Sequence, residues 1–154
     1  MIPLHVNLKN DDNMNKNIFY AAMAATLLAS CSTAEKTTSL ATLNGEWNIE
    51  KIEGKSIDKS LSENEAFLGF DTAKKSVYGS TGCNRLTGSF DIDANNVLDL
   101  SKMGSTRMMC KDMTTETMVL EALQKVKTFK VDKKGNLLLT NEKGNAVIEL
   151  AKKK

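Results

Sequence analysis

The chain has 154 residues, of which 41% are hydrophobic and 26% charged, with a formal net charge of +2. This length suits one domain, and the composition is ordinary for a globular protein. The small net charge, carried by scattered lysines, argues against a nucleic-acid-binding protein.

The N-terminal region has the pattern of a lipoprotein signal peptide. Lys16 supplies a short positive region, and residues 18–28 form an apolar run. This run is shorter than the roughly 20 residues that a membrane-spanning helix needs. The sequence Leu-Ala-Ser-Cys at 28–31 resembles the lipobox of bacterial lipoproteins, which implies a lipid on Cys31 and attachment to a membrane. The alternative is a plain signal peptide with an incidental cysteine.

These features divide the chain. We expect residues 1–13 to precede the natural start at Met14, and residues 14–30 to be the signal peptide. Residues 31–42 are polar and small, and we expect them to tether the lipid to a domain at 43–151. Ser32 stands where an aspartate is associated with retention in the inner membrane. Its presence favours an outer-membrane anchor and a domain that faces the periplasm.

The single histidine, His5, lies in the segment that processing removes. Its loss excludes histidine-based triads, Cys–His dyads and His-ligated zinc sites from the mature chain. We therefore expect a protein that is not an enzyme and has no catalytic residues, no metal and no cofactor. The methionine-rich stretch 103–118 follows no metal-binding spacing, and we expect it to pack.

Short segments with period-two alternation, separated by turn residues, predict about eight strands. The alternation begins at Trp47, the only tryptophan and a predicted core anchor. The predicted strands and extended segments are 47–52, 65–71, 76–80, 87–92, 97–100, 104–110, 128–132, 137–140 and 146–150.

The period changes after Asp112, where spacings of three and four predict a helix over 113–125. Asp112 can cap it, and Glu116 suits the positive end of the helix dipole. The predicted packing face consists of Glu116, Val119 or Leu120, Leu123, and Val126 or Lys127. The expected fold is mostly β (α+β): an antiparallel, partly closed, barrel-like sheet with one helix packed against it.

Three motifs in order resemble the META domain family, the HslJ-like proteins of bacterial envelopes. They are Leu43-x-Gly45-x-Trp47, Gly82-Cys83-Asn84-Arg85-x-x-Gly88-x-Phe90, and Thr106-x-Met108-x-Cys110 followed by Glu116. The resemblance implies a compact, mostly-β fold and links to heat-shock induction and antibiotic tolerance. It implies no common catalytic activity or ligand.

Cys83 and Cys110 are the two cysteines left after lipidation of Cys31. In an oxidising periplasm they are expected to form a structural disulfide. Two buried reduced cysteines, or a reactive thiol, are the alternatives. A redox role is disfavoured because the chain has no Cys-x-x-Cys spacing and the mature chain has no histidine to lower a thiol pKa.

Asn84 and Arg85 are the motif residues with a possible role in binding. Asn84 can instead close the turn through its side chain. Arg85 can pair with Asp91 or Glu116, or it can face a partner.

The sequence therefore predicts a non-enzymatic, lipid-anchored META-domain protein that supports envelope integrity or stress tolerance through binding to an envelope partner. The alternative is a periplasmic carrier that holds a small ligand in a pocket of the β-sheet. A large cavity would favour the carrier, and a filled core with an exposed apolar patch would favour a partner-binding module.

Overall fold

The computed structural model describes residues 40–154. Its strands are β1 (Gly45–Ile52), β2 (Lys55–Ser56), β3 (Phe67–Asp71), β4 (Ser76–Ser80), β5 (Arg85–Ser89), β6 (Asp91–Ile92), β7 (Leu98–Asp99), β8 (Met103–Ser105), β9 (Thr128–Val131), β10 (Leu137–Thr140) and β11 (Ala146–Lys152). The helices are α1 (Leu40–Leu43) and α2 (Thr114–Lys125), with a 3-10 helix at Lys59–Leu61.

Eight strands form a curled antiparallel half-barrel in the order β8-β5-β4-β3-β1-β11-β10-β9, and α2 packs against it. This arrangement confirms the predicted fold class. β2 pairs with the end of β1, and β6 and β7 form a separate two-stranded sheet. The first and last strands of the domain lie side by side, with Ile49 opposite Leu150. Pairing of β1 with β11 therefore joins the N-terminal and C-terminal halves of the sheet.

Alternation along the strands places one row of apolar side chains in a filled core. Trp47 is 3% exposed, and its indole Nε1–H donates to the Leu43 carbonyl at 2.9 Å. This bond satisfies the only polar group of the ring and fixes α1 against the start of β1. Trp47 is thus the core anchor that its place in the sequence predicts.

Helix α2 begins one residue later than predicted. The Asp112 carboxylate accepts from the Thr114 backbone N–H at 2.8 Å, just before the first turn. Glu116 and Val119 are buried as expected, but Ala122 takes the next core position instead of Leu123. Leu123 packs against the edge of the core but is only half-buried, because it also lines an open cleft.

The predicted strand 87–92 is in fact two strands. β5 ends at Ser89, and the next pairing, Asp91 with Asp99, belongs to the two-stranded sheet. Phe90 separates them because its ring is buried edge-on against Phe70, with ring centroids 5.7 Å apart. Core packing of this ring redirects the chain.

The predicted extended segment 104–110 is a strand only at its start. β8 ends at Ser105, and the following residues bond to the side chain of Asn84 instead of to a strand.

The start segment 1–13, the signal peptide 14–30, Cys31 and most of the tether lie outside the described residues. Residues 40–42, which the prediction assigns to the tether, belong to α1. At the other end, β11 continues to Lys152, one residue past the predicted limit of the domain. Within residues 40–154, none of the helices has the length and apolar character needed to cross a membrane.

Candidate functional site

The first three residues of the central motif, 82–84, lie in the tight connection between β4 and β5, and the rest of the motif includes β5. Gly82 has φ +103°, a conformation that side chains rarely adopt, and a Cβ there would lie 2.8 Å from the Ser62 Oγ. The glycine is therefore required both for the turn and for the close approach of residue 62. After this turn, Cys83 and Asn84 are buried and Arg85 is exposed at the surface.

A disulfide joins Cys83 to Cys110, with their Cα atoms 6.0 Å apart. Cys83 is buried and Cys110 is half-buried, so the bond lies at the edge of the core. It connects the β4–β5 turn to the segment that leads into α2. The disulfide that was expected between these two cysteines is therefore present in the structure.

The side chain of Asn84 bonds to helix α2 and to the segment that follows β8. Its Nδ2 donates to the Glu116 carboxylate at 2.8 and 2.9 Å and to the Met108 carbonyl at 3.0 Å. Its Oδ1 accepts from Thr106 Oγ1 and from the Met108 backbone N–H, both at 2.7 Å. Asn84 is 1% exposed. The suggestion that it only closes its own turn is therefore wrong.

Glu116 completes this network from the first turn of α2. Its carboxylate also accepts from Thr81 Oγ1 at 2.8 Å and from the Asn84 backbone N–H at 3.0 Å. Glu116 is 6% exposed, so these donors replace the water that a buried carboxylate would otherwise need. Sequence reasoning placed Glu116 on the packing face of the helix but missed its bond to the motif.

Arg85 has neither of the partners that the sequence suggested. Glu116 is occupied by the Asn84 network, and Asp91 pairs with Lys102 at 2.8 Å and with Lys75 at 3.7 Å. The hydrogen bond from Lys102, aided by its charge, holds the pKa of Asp91 below the usual 3.8. Within residues 40–154, Arg85 forms no ion pair.

Arg85 instead borders a cleft of about 760 Å³ on the outer face of the sheet, here called the Arg85 cleft. Its apolar wall consists of Phe67, Tyr78 and the side chain of Met108, and Lys153 lies at its far end. Burial raises the pKa of the Tyr78 phenol above 10.0, and the nearby Glu46 carboxylate adds to the effect. The phenol is therefore neutral and donates to Glu46 at 3.2 Å.

A second cleft, of about 800 Å³, lies between α2 and β8 and is here called the helix cleft. Its lining is mainly apolar and includes Leu100, Met103, Leu120 and Leu123. The half-buried leucines of α2 thus face an opening of the half-barrel.

Met108 and Met109 are the most exposed large apolar residues described, at 55% and 89%. Core or surface packing was expected for this methionine-rich stretch, and these two residues lie at the surface. The Asn84 network and the disulfide hold the backbone here, so both side chains are presented to solvent on a fixed segment. No periodicity in the sequence distinguishes them from core methionines.

The motif region separates buried polar groups from exposed side chains. The polar groups of Asn84 and Glu116 are used in mutual hydrogen bonds, whereas Arg85 and the two methionines are open to solvent. Among residues 40–154 there is no cluster of three or more His, Cys, Asp or Glu side chains that could hold a metal ion.

Comparison with known proteins gives a family and several solved structures, of which two are described. A family model described as the META domain matches residues 38–154. An NMR structure of a protein from Burkholderia xenovorans shares the fold, with TM-score 0.58 and 19% identity over 75% of this chain and 89% of that one. A crystal structure of a DUF4847 family protein from Bacteroides vulgatus gives TM-score 0.49 and 17% identity, over 73% of this chain and 95% of that one. No curated protein matches the chain.

Proposed function

Because this chain belongs to the META domain family, we propose that it is an HslJ-like, non-enzymatic binding protein anchored to the bacterial envelope by a lipid on Cys31. The lipobox-like sequence supports the anchor, and Ser32 supports an outer-membrane position facing the periplasm. Binding to an envelope component would support envelope integrity under heat or antibiotic stress, as the HslJ-like resemblance implies.

The contrast between the buried and exposed parts of the motif carries this proposal. Asn84 and Glu116 are buried and bonded to each other, whereas Arg85 and Met109 project to solvent from the same region. Because the backbone that carries these side chains is already fixed, association costs little backbone entropy, and the exposed apolar surface of the methionines favours binding. A reactive centre would instead need a nucleophile and a base in contact.

A small-ligand carrier is the second candidate. The Arg85 cleft and the helix cleft, of about 760 and 800 Å³, support it because each falls in the usual size range of ligand pockets. Buried apolar side chains form a contiguous cluster in the core, and both of these clefts lie at its edge, so a ligand there would occupy an open cleft.

Photo-crosslinking in cells tests the proposal. A photo-reactive amino acid replaces Met109 in the natural chain and in a Cys31→Ala variant, and membranes are then separated from soluble proteins. We expect the natural chain in the membrane fraction, with a discrete crosslinked product. We expect the variant in the soluble fraction, because its lipobox no longer contains the cysteine to which the lipid would be attached.

The matched control places the same amino acid at Lys133, in the exposed turn between β9 and β10. A product that appears equally at positions 109 and 133 would contradict a binding surface at the motif. Membrane association that persists in the Cys31→Ala variant would contradict the anchor.

A further inference from the structure

We propose that the Arg85 cleft binds a single-tailed anionic amphiphile, with the anionic head on the Arg85 guanidinium and the apolar tail against Phe67 and Tyr78. The proposal rests on the binding function proposed above and gives it a ligand class. The head is a carboxylate or a phosphate monoester, the two groups that a guanidinium fork matches best.

The backbone that carries the Arg85 cation is fixed. The Arg85 backbone N–H donates to Thr106 Oγ1 and its carbonyl accepts from the Thr106 N–H, both at 3.1 Å. These two bonds fix the base of a side chain that is itself exposed. Since Arg85 forms no ion pair within residues 40–154, an incoming anion displaces no carboxylate.

The wall of the cleft offers apolar surface on a rigid support. The Phe67 and Tyr78 rings meet edge to face with centroids 6.4 Å apart. Tyr78 lies over Gly69, which has no side chain to separate the ring from the sheet. Tyr78 remains 39% exposed, so an alkyl chain or ring placed there gains apolar contact at little conformational cost.

The far end of the cleft fixes the direction of the ligand. Lys153 lies 4.3 Å from the centre of the Phe67 ring and is already paired with Glu46 at 3.2 Å and Glu65 at 3.9 Å. The Glu65 carboxylate lines this end and would repel a second negative charge. The anionic head therefore belongs at Arg85, and a ligand charged at both ends is disfavoured.

Size and chemistry together favour this cleft over its neighbour. A volume of about 760 Å³ exceeds what an inorganic anion needs and accommodates a small amphiphile. The helix cleft is apolar, but nothing in the structure indicates what covers it.

Calorimetric titration with monomeric probes tests the proposal. The full chain carries Cys31→Ala so that no attached lipid competes. The probes are dodecyl phosphate and laurate below their micelle concentrations, with inorganic phosphate as the head alone and dodecyl maltoside as the neutral tail. Arg85→Gln is compared with Arg107→Gln, which removes the chain's only other arginine, an exposed residue that does not line the cleft. The apolar N-terminal run is the same in both variants, so binding there cancels in the comparison.

We expect Arg85→Gln to weaken binding of both anionic probes about tenfold or more, because a charge-assisted fork is lost. Arg107→Gln should stay within about twofold of the parent chain. Shortening the tail should weaken binding in the parent chain, since apolar contact scales with buried area. The stronger of the two anionic probes identifies the head group.

Three outcomes would overturn the proposal. One is an equal effect of the two arginine variants, and another is inorganic phosphate binding as tightly as dodecyl phosphate. The third comes from a parallel titration with phosphatidylglycerol vesicles: binding to the vesicles but to none of the monomeric probes, weakened equally by the two arginine variants, would indicate a membrane surface as the partner. Membrane association and crosslinking at position 109 are measured separately in cells, so failure of this inference leaves the anchored binding function to its own test.

Discussion

At the scale of single residues, the Asn84 side chain does the most to connect the fold. One amide group bonds to α2 through Glu116, to the segment after β8 through Thr106, and to Met108 through both backbone groups. A buried amide can be this well satisfied only when all its partners are placed together. Glu116 depends on the motif for most of its hydrogen bonds, since Asn84 makes three bonds to its carboxylate, two from Nδ2 and one from the backbone N–H.

Asn84→Ala should therefore lower the free energy of unfolding by about 3 kcal/mol or more, because it strips donors from a buried carboxylate. Urea denaturation followed by circular dichroism measures the change. Asn95→Ala is the matched control, since the Asn95 side chain is exposed in a turn, and we expect a change within about 0.5 kcal/mol. Similar losses in the two variants would contradict the role of the network.

At the scale of elements, glycines set how closely the strands and rings approach. In β4, a Cβ at Gly79 would overlap the Phe67 carbonyl of the neighbouring strand. In β8, by contrast, a Cβ at Gly104 would meet nothing within 4 Å. The two positions have the same residue type in strands of one sheet but opposite tolerance to a methyl group.

We expect Gly79→Ala to destabilise the protein by about 1–3 kcal/mol through steric overlap. Gly104→Ala should leave stability unchanged or raise it by about 0.4–1 kcal/mol, because alanine restricts the unfolded chain. Thermal unfolding of both variants measures the difference. Equal midpoints would show that β4 can shift away from β3, contrary to this packing argument.

At the scale of the whole molecule, two long-range links hold distant parts of the domain together. Pairing of β1 with β11 joins the two ends of the domain. The Cys83–Cys110 disulfide, with a sequence separation of 27, joins the sheet to the segment before α2. The second connection fixes the exposed methionines and one wall of the Arg85 cleft.

Replacing both cysteines, Cys83→Ala with Cys110→Ala, should cost roughly 3.6 kcal/mol of stability, the loop-closure entropy of a cross-link of this span. Guanidinium denaturation of the parent and double variant measures it, with reductant added to the parent as a second route to the open chain. Equal stability of the oxidised parent and the variant would contradict the prediction.

The sequence predicted the fold class because strand alternation and helical spacing are local patterns that hydrophobic burial enforces in any compact chain. It also identified the helix, the Trp47 anchor and the motif. It did not predict the break at Phe90, since only packing against Phe70 redirects the chain there. Nor did it predict that Ala122 would be more deeply buried than Leu123, because their burial depends on where the sheet ends and the cleft begins.

The sequence by itself determined the family, the order of the elements and the two cysteines available for a bond, because each of these is written in residue type and spacing. Only the tertiary structure decided how Asn84, Arg85 and Glu116 are used. Asn84 and Glu116, about thirty positions apart in the chain, satisfy each other's hydrogen-bonding groups in the core. Arg85 is left at the surface beside an open cleft with an aromatic wall. Which motif residues are buried and bonded and which are exposed depends on three-dimensional distance and burial, and no local sequence pattern specifies either.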